Sequence, residues 1–301
     1  MKNIVYVCSL NLVMLFIRTY SVRKVKVMNM KMIIQSDDYG MTYGITDGIC
    51  MAAKKGLLTC TGLMTNFESS EYAANRMKEF PHVLLGQDIN LFGGKPVTDP
   101  KLIPDLVDEN GWFISSVTRA QQLASWSNIE NLMVKEDPFP FDQTLLETEN
   151  QFNRFVELTG KLPGYIQGHS YQTPNIAKAI KTVAEKHNIP VSSELWSELG
   201  IDLMKMTWLK KPVFAFEDQV HCDVENGIIN LLDDYVNSGK EYGLLICHAG
   251  YLDAELFDQS SYTAIRYNDL KMLLSPKLKE KLEELNVEFV TYVDLVNKKK
   301  I

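Results

Sequence analysis

Paired cysteines are missing from this chain of 301 residues: Cys8, Cys50, Cys60, Cys222 and Cys247 stand far apart and mostly among apolar neighbours. That pattern argues against a disulfide framework and against a thiolate zinc site, and it places folding in a reducing compartment. Positive charge is not in excess either. Lys and Arg total 31 against 38 Asp and Glu, a formal charge of −7, which speaks against a nucleic-acid surface. No Gly-x-Ser-x-Gly elbow and no glycine-rich phosphate loop occurs, so an elbow serine nucleophile and P-loop chemistry have no support. Internal repeats and low-complexity tracts are lacking as well. The longest apolar run, residues 4–17 with Ser9 and Asn11 inside it, is short for a membrane-spanning helix and about right for a signal-peptide core.

What is present divides unevenly. Lys2, Arg18, Arg23, Lys24, Lys26 and Lys31 make residues 1–31 purely basic, so the remainder is more acidic than the total suggests. Residues 1–29 read as a leader outside the fold: a signal, an anchor, or dispensable upstream sequence with Met28, Met30 or Met32 as the functional start. The body is expected in the cytoplasm, or secreted or membrane-anchored if residues 1–21 act as a signal. A hydrophobic content of 46% supports one large core or two modest ones.

Alternating apolar runs and helical spacings then organise residues 30–301. Strands are expected at 32–36, 58–65, 83–91, 165–170, 190–194, 212–216, 243–250 and 287–293. Helices are expected at 44–55 with Gly56 closing, 69–77, 143–159 closed by Gly160, 173–187, 224–237, 266–274 and 276–285. Between them, about 92–140 is a proline-rich irregular insertion carrying Trp112, Phe113 and Trp126, placed where substrate loops are built. The alternation predicts an α/β fold, a single-domain distorted (β/α) barrel with seven or eight mostly parallel strands.

Chemistry gathers at the carboxyl ends of those strands. The run Met32-Ile33-Ile34-Gln35-Ser36 stops at Asp37 and Asp38, followed by the turn Tyr39-Gly40. Adjacent carboxylates repel, and a bound cation or a shifted pKa resolves the repulsion; a helix N-cap pair is the structural alternative. Asp88 and Asn90, His169, and His248 end three further strands, which points to one shared site at one mouth of the barrel. Oxygen and imidazole ligands together suit Mg²⁺, Mn²⁺ or Zn²⁺. His82, His187 and His221 fall in loops or helix ends and receive no role.

Four motifs in order, Ser36-Asp37-Asp38-Tyr39-Gly40, Gly86-Gln87-Asp88-Ile89-Asn90-Leu91, Gly168-His169-Ser170 and Cys247-His248-Ala249-Gly250-Tyr251-Leu252-Asp253, resemble those of the YdjC-like carbohydrate deacetylases, which include the chito-oligosaccharide deacetylases. Weaker echoes are Glu147 with Gln151, Pro163, and Ser261-Tyr262 followed by Arg266 and Asp269-Leu270. The resemblance implies a metal-dependent hydrolase that removes an N-acetyl group from an amino sugar or short oligosaccharide. By it, Asp37 is the catalytic base and His248 the acid. Asp38, Asp88 and His169 hold a divalent metal, Mg²⁺ first with Mn²⁺ or Zn²⁺ as options, and Asn90 and Tyr251 touch substrate. It allows a homodimer. Three departures mark a divergent member: Asp88 stands where the family has a histidine, Gln167 where it has an aspartate, and Ser192 and Ser193 where an arginine is common. Asp88 and the missing arginine support an alternative, a non-catalytic carbohydrate- or metal-binding protein on the same barrel.

Overall fold

A computed structural model describes residues 29–126, 137–207, 209 and 215–299. The leader, part of the insertion and most of the strand expected at 212–216 lie outside the described residues. The first half runs β1 (Lys31–Tyr39), α1 (Tyr43–Lys55), β2 (Cys60–Leu63), α2 (Ser70–Met77), β3 (Leu84–Ile89), α3 (Ser116–Trp126), α4 (Phe141–Thr159) and β4 (Ile166–Gly168). The second half continues with α5 (Pro174–His187), α6 (Ser192–Leu199), β5 (Asp202–Leu203), α7 (Phe216–Val220), α8 (Val224–Val236) and β6 (Tyr242–Cys247). It closes with α9 (Ala254–Gln259), α10 (Ala264–Leu273), α11 (Pro276–Glu284), β7 (Glu288–Phe289) and α12 (Tyr292–Lys299). No described helix is long and apolar enough to cross a membrane.

The described strands pair in the order β4-β3-β2-β1-β6-β5, every ladder parallel. One edge of β1 lies along β6 from Lys31 to Ser36, so β7, at Lys31 and Met32, and β2, from Gln35 onward, share the other. Curvature is visible in a single contact. Gln35 on β1 donates from Nε2 to Oε1 of Gln167 on β4 at 2.8 Å, although two strands lie between them. In a flat sheet those backbones would stand about 14 Å apart, three strand spacings, so the sheet must curl into an incomplete barrel. This is the distorted barrel that the alternating pattern predicts.

Period-two alternation then sorts the side chains. On β1, Met32 and Ile34 join the large cluster beneath the helices, whereas Ile33 belongs to the barrel interior with Cys60, Tyr165, Leu244 and Tyr292. Above that floor come Gln35, Gln167 and Asp88, the register partner of Gln167, and above them Asp37, His169 and His248. The strands β1, β3, β4 and β6 therefore lead from an apolar base to a polar rim. Gly86 serves this packing by its size: a Cβ there would overlap the ring of Tyr165, a fully buried side chain braced by Tyr292 at 4.7 Å between ring centroids. Gly86→Ala is accordingly expected to destabilise the fold by about 1–3 kcal/mol, the usual cost of overpacking, read as a lower urea midpoint at constant slope. An unchanged midpoint would show that the interior yields at Tyr165.

Several expected elements differ. Residues 192–194 open α6 rather than a strand; only Val191 makes a bridge, to Ile166, and Gly200 at φ 65° closes the helix. The sheet instead continues through β5, two residues too short to show periodicity. The insertion after β3 is not wholly irregular, since it contains α3. Tyr292 and Val293 begin α12 instead of ending a strand. Phe216, expected in a strand, opens α7. Gly56 is extended, φ −103°, and not left-handed; its room is taken by the carbonyls of Ala52 and Leu273, 2.8 and 2.7 Å from where a Cβ would sit.

Candidate active site

The two aspartates of β1 sit at a break in its ladder. Ser36 pairs with Thr61 and Tyr39 with Leu63, so the register slips across Asp37 and Asp38. Asp38 adopts φ 69°, a left-handed conformation uncommon for a residue other than glycine. Such strain is kept only where surroundings over-determine it, and bulges re-aim side chains beside active sites. Neither aspartate caps a helix; α1 is capped by Thr42, whose hydroxyl accepts from the amide of Ile45. Ser170, next to His169 at the end of β4, is also left-handed at φ 64°.

Asp38 is 1% exposed and faces two cationic side chains. Its Oδ1 lies 3.0 Å from Nδ1 of His169, and its Oδ2 lies 2.7 Å from Nη1 of Arg266 on α10, itself 2% exposed. Both are ion pairs by distance without the alignment of a hydrogen bond. Burial alone would raise the Asp38 carboxyl, but Arg266 and His169 outweigh it and hold it well below the usual range. Burial works against charge on His169 too; Asp38 and then Asp88 prevail and push its pKa up to about 9. Asp88 has no cationic side chain of its own beyond the same His169. Burial, aided by the charges of Asp37 and Asp38, holds its carboxyl well above the usual range.

Both oxygens of Asp88 are buried and lack hydrogen-bond partners. A buried carboxylate left in this way costs free energy unless something fills its lone pairs. Ligand atoms of Asp38, Asp88 and His169 all lie within 4.8 Å of one another, so a cation set among them would meet two carboxylates and one imidazole. Arg266 occupies Oδ2 of Asp38 and leaves Oδ1 on the side of the cluster. The donor set and the orphaned oxygens fit a divalent ion.

Asp37 is organised differently. Nε2 of Gln35 and Nε2 of Gln167 both donate to its Oδ1, at 2.7 and 2.9 Å. Gln35 is turned the right way by Tyr292, whose hydroxyl donates to Gln35 Oε1 at 2.8 Å. Burial raises the Asp37 carboxyl, and His248 and these amides offset that only in part. His248 directly follows β6; its backbone N–H donates to Oδ2 of buried Asp269 at 2.8 Å and its ring stands edge-to-face with Tyr262. Asp37, Asp38, Gln167, His169, His248 and Arg266 line one cavity of about 660 Å³.

The two residues expected to touch substrate, Asn90 and Tyr251, lie beside the main cavity. Asn90 is 1% exposed, and its amide is committed to Asn66 and to the carbonyl of Gly93, while its carbonyl oxygen accepts from Phe92. It shapes the wall of a neighbouring cavity that shares His169 and Arg266. Tyr251 packs on the cluster beneath the helices and does not line the cavity above the carboxylates. Sequence reasoning left Arg266, Gln35, Gln167 and Tyr292 without roles. An arginine flanked by apolar residues at 264, 265 and 270 was the signal for the first; the glutamines and Tyr292 gave none, because their significance lies in contacts between distant strands.

A family model described as YdjC-like protein matches residues 31–284. Carbohydrate deacetylase 2 of Listeria innocua is 30% identical, the match covering 89% of this chain and 100% of that one. Carbohydrate deacetylase of Clostridium beijerinckii is 28% identical over 88% of this chain and 100% of its own, and chitooligosaccharide deacetylase of Citrobacter koseri 25% over 88% and 98%. Among solved structures, a protein of Enterococcus faecalis whose crystal structure is named for cellobiose-phosphate cleavage superposes with a TM-score of 0.71. It is 23% identical over 89% of this chain and 99% of its own, and it shows that the fold is shared.

Proposed function

Since this chain belongs to the YdjC-like family, we propose that it is a carbohydrate deacetylase, hydrolysing the N-acetyl group of an amino sugar or short oligosaccharide with the help of a divalent metal, Mg²⁺ before Mn²⁺ or Zn²⁺. One observation carries the reading: a buried carboxylate held by two amide donors, Asp37, stands beside a three-residue cluster whose Asp88 oxygens have no partner, under a cavity large enough for a sugar. Asp38, Asp88 and His169 are the residues that would hold the metal. When bound, it supplies Lewis acidity to the acetamide carbonyl and to water.

The chain's own groups do the rest. Two amides saturate Oδ1 of Asp37, so Oδ2 is the basic atom left to take the proton of the attacking water. Burial favours that proton transfer by keeping the carboxylate more basic than in solvent. His248, across β1 from β2 and at the same rim, delivers a proton to the departing amine. Asp269 anchors the backbone from which it works. Arg266 holds Asp38 ionised while the cluster is being filled or emptied. Asn90, in the wall of the adjoining cavity, and Tyr251, after the strand that leads to His248, remain the residues proposed to meet the rest of the sugar.

Release of acetate from a panel of N-acetylglucosamine oligomers, with each of the three metals added back to chelated enzyme, tests the reading. Metal-dependent release is expected. If no metal restores turnover on any acetylated sugar while metal and sugar still bind, the non-catalytic binding protein replaces the enzyme.

The metal cluster makes its own prediction. Binding must displace protons, because His169 holds one up to about pH 9 and Asp88 is protonated above the usual carboxylate range. Affinity for a divalent ion should therefore rise as pH is raised from about 6 to 9, and the calorimetric heat should vary with the ionisation enthalpy of the buffer. Asp88→Asn should weaken binding by about tenfold or more. Unaltered affinity in that variant would take Asp88 out of the ligand set.

A further inference from the structure

The lining of the cavity includes Ser192, Ser193 and Trp196 of α6, together with Ser170 and Gln172 of the loop after β4. Trp196 is half-buried and fixed by its edge. Its Nε1 donates to the hydroxyl of Tyr292 at 2.9 Å, and Tyr292 is fully buried in the barrel interior. An indole anchored inward by its only donor cannot turn, and the ring surface left over contributes to the cavity. The same hydroxyl leads through Gln35 to Asp37, which places the indole two side chains from the reacting carboxylate.

We infer that Trp196 is the platform of a second sugar subsite, where the apolar face of a pyranose ring adjacent to the one being deacetylated lies on the indole and its hydroxyls meet Ser193, Ser170 and Gln172. The inference rests on the deacetylase reading and adds a chain-length preference to it. Its chemistry is that of an aromatic plane rimmed by small hydroxyls and an amide, with no charge on that wall: a neutral, hydroxyl-rich ring is the complement, and an ionised group is not. Such a platform acts on binding and not on bond cleavage, so its loss is felt in KM for ligands long enough to reach it.

The experiment compares N-acetylglucosamine with its disaccharide and trisaccharide. Trp196→Ala should raise KM for the oligomers by about 3- to 10-fold, the scale of one aromatic contact, with kcat and the monosaccharide KM little changed. Trp196→Phe keeps a ring and should recover most of the loss. Tyr292→Phe separates a positioning role: it frees Nε1 and Gln35 without removing the indole, and should lower kcat while weakening the oligomer preference less than Trp196→Ala does. Calorimetric titration of chelated protein with the same sugars reads the subsite without turnover, so an inactive enzyme that still prefers oligomers through Trp196 would sink the deacetylase reading and keep the subsite. An equal loss on monosaccharide and oligomers in Trp196→Ala, or a wild-type protein indifferent to chain length in both assays, overturns the proposal.

Discussion

Asp37→Asn should lower kcat by about 10²–10⁴-fold with substrate affinity little changed, the span expected for removing a general base. Asparagine is nearly isosteric with aspartate, and its carbonyl oxygen can keep both hydrogen bonds from Gln35 and Gln167. Only basicity is lost, so an effect on rate cannot be assigned to a displaced side chain. His248→Ala should fall by a similar factor, and the double variant should lose little more than either single one if the two act in one reaction. Rates of acetate release under saturating metal give the comparison, with an unchanged dichroism spectrum as the check on folding. Full turnover in Asp37→Asn would remove this residue from the chemistry and leave the cluster of Asp38, Asp88 and His169 to act without it.

Arg266→Met is expected to cost about 3 kcal/mol of stability near neutral pH, since it leaves a buried carboxylate without its main counter-charge. Arg266 and Asp38 are among the most deeply buried ionic groups here, 2% and 1% exposed, at 2.7 Å. The sign of the pH dependence follows from Asp38. In the parent its folded pKa is depressed, so its contribution is complete above the unfolded value near 3.9 and is lost as pH falls through the folded one. Without Arg266 the burial that opposes ionisation is no longer outweighed to the same degree, and the carboxyl moves upward. The folded variant then binds more protons than the unfolded chain, and its stability declines as pH rises. The gap between the two proteins should thus be small near pH 4 and widen toward neutrality, as urea denaturation across that range would show. A constant gap would assign Arg266's contribution to packing, including its place over the ring of Tyr262, in preference to charge.

The architecture was legible because most of its elements are long enough to display a period. Residues 43–55, 141–159 and 174–187 present helical spacing with a glycine, asparagine or proline at the proper end. The strands bearing Asp37, Asp88, His169 and His248 announce themselves as apolar runs bounded by turns. Short elements were not legible. β5 and β7 have two residues each, and two residues carry no periodicity; they exist as strands because Leu244 and Met32 lie beside them to accept pairing. For the same reason Val191 reads as strand, although α6 starts one residue later.

The candidate site divides along a similar line. That acids and histidines end successive strands is a local property, visible to anyone who counts positions. Which oxygen of Asp38 meets which cation, that Gln35 and Gln167 share one oxygen of Asp37, and that Asn90 is consumed by its own loop are properties of closure: they depend on β1 and β4 being brought together by the curl of the sheet. Arg266 shows the division most sharply. Its charge was plain in the sequence and its burial was not, because burying a guanidinium is tolerable only where a carboxylate from a strand more than two hundred positions earlier waits for it. By itself the sequence determined which residues could carry the chemistry and at which end of the barrel they would stand. Tertiary structure decided how they are paired, since pair geometry comes from the twist and packing of whole elements and is written in no single stretch of the chain.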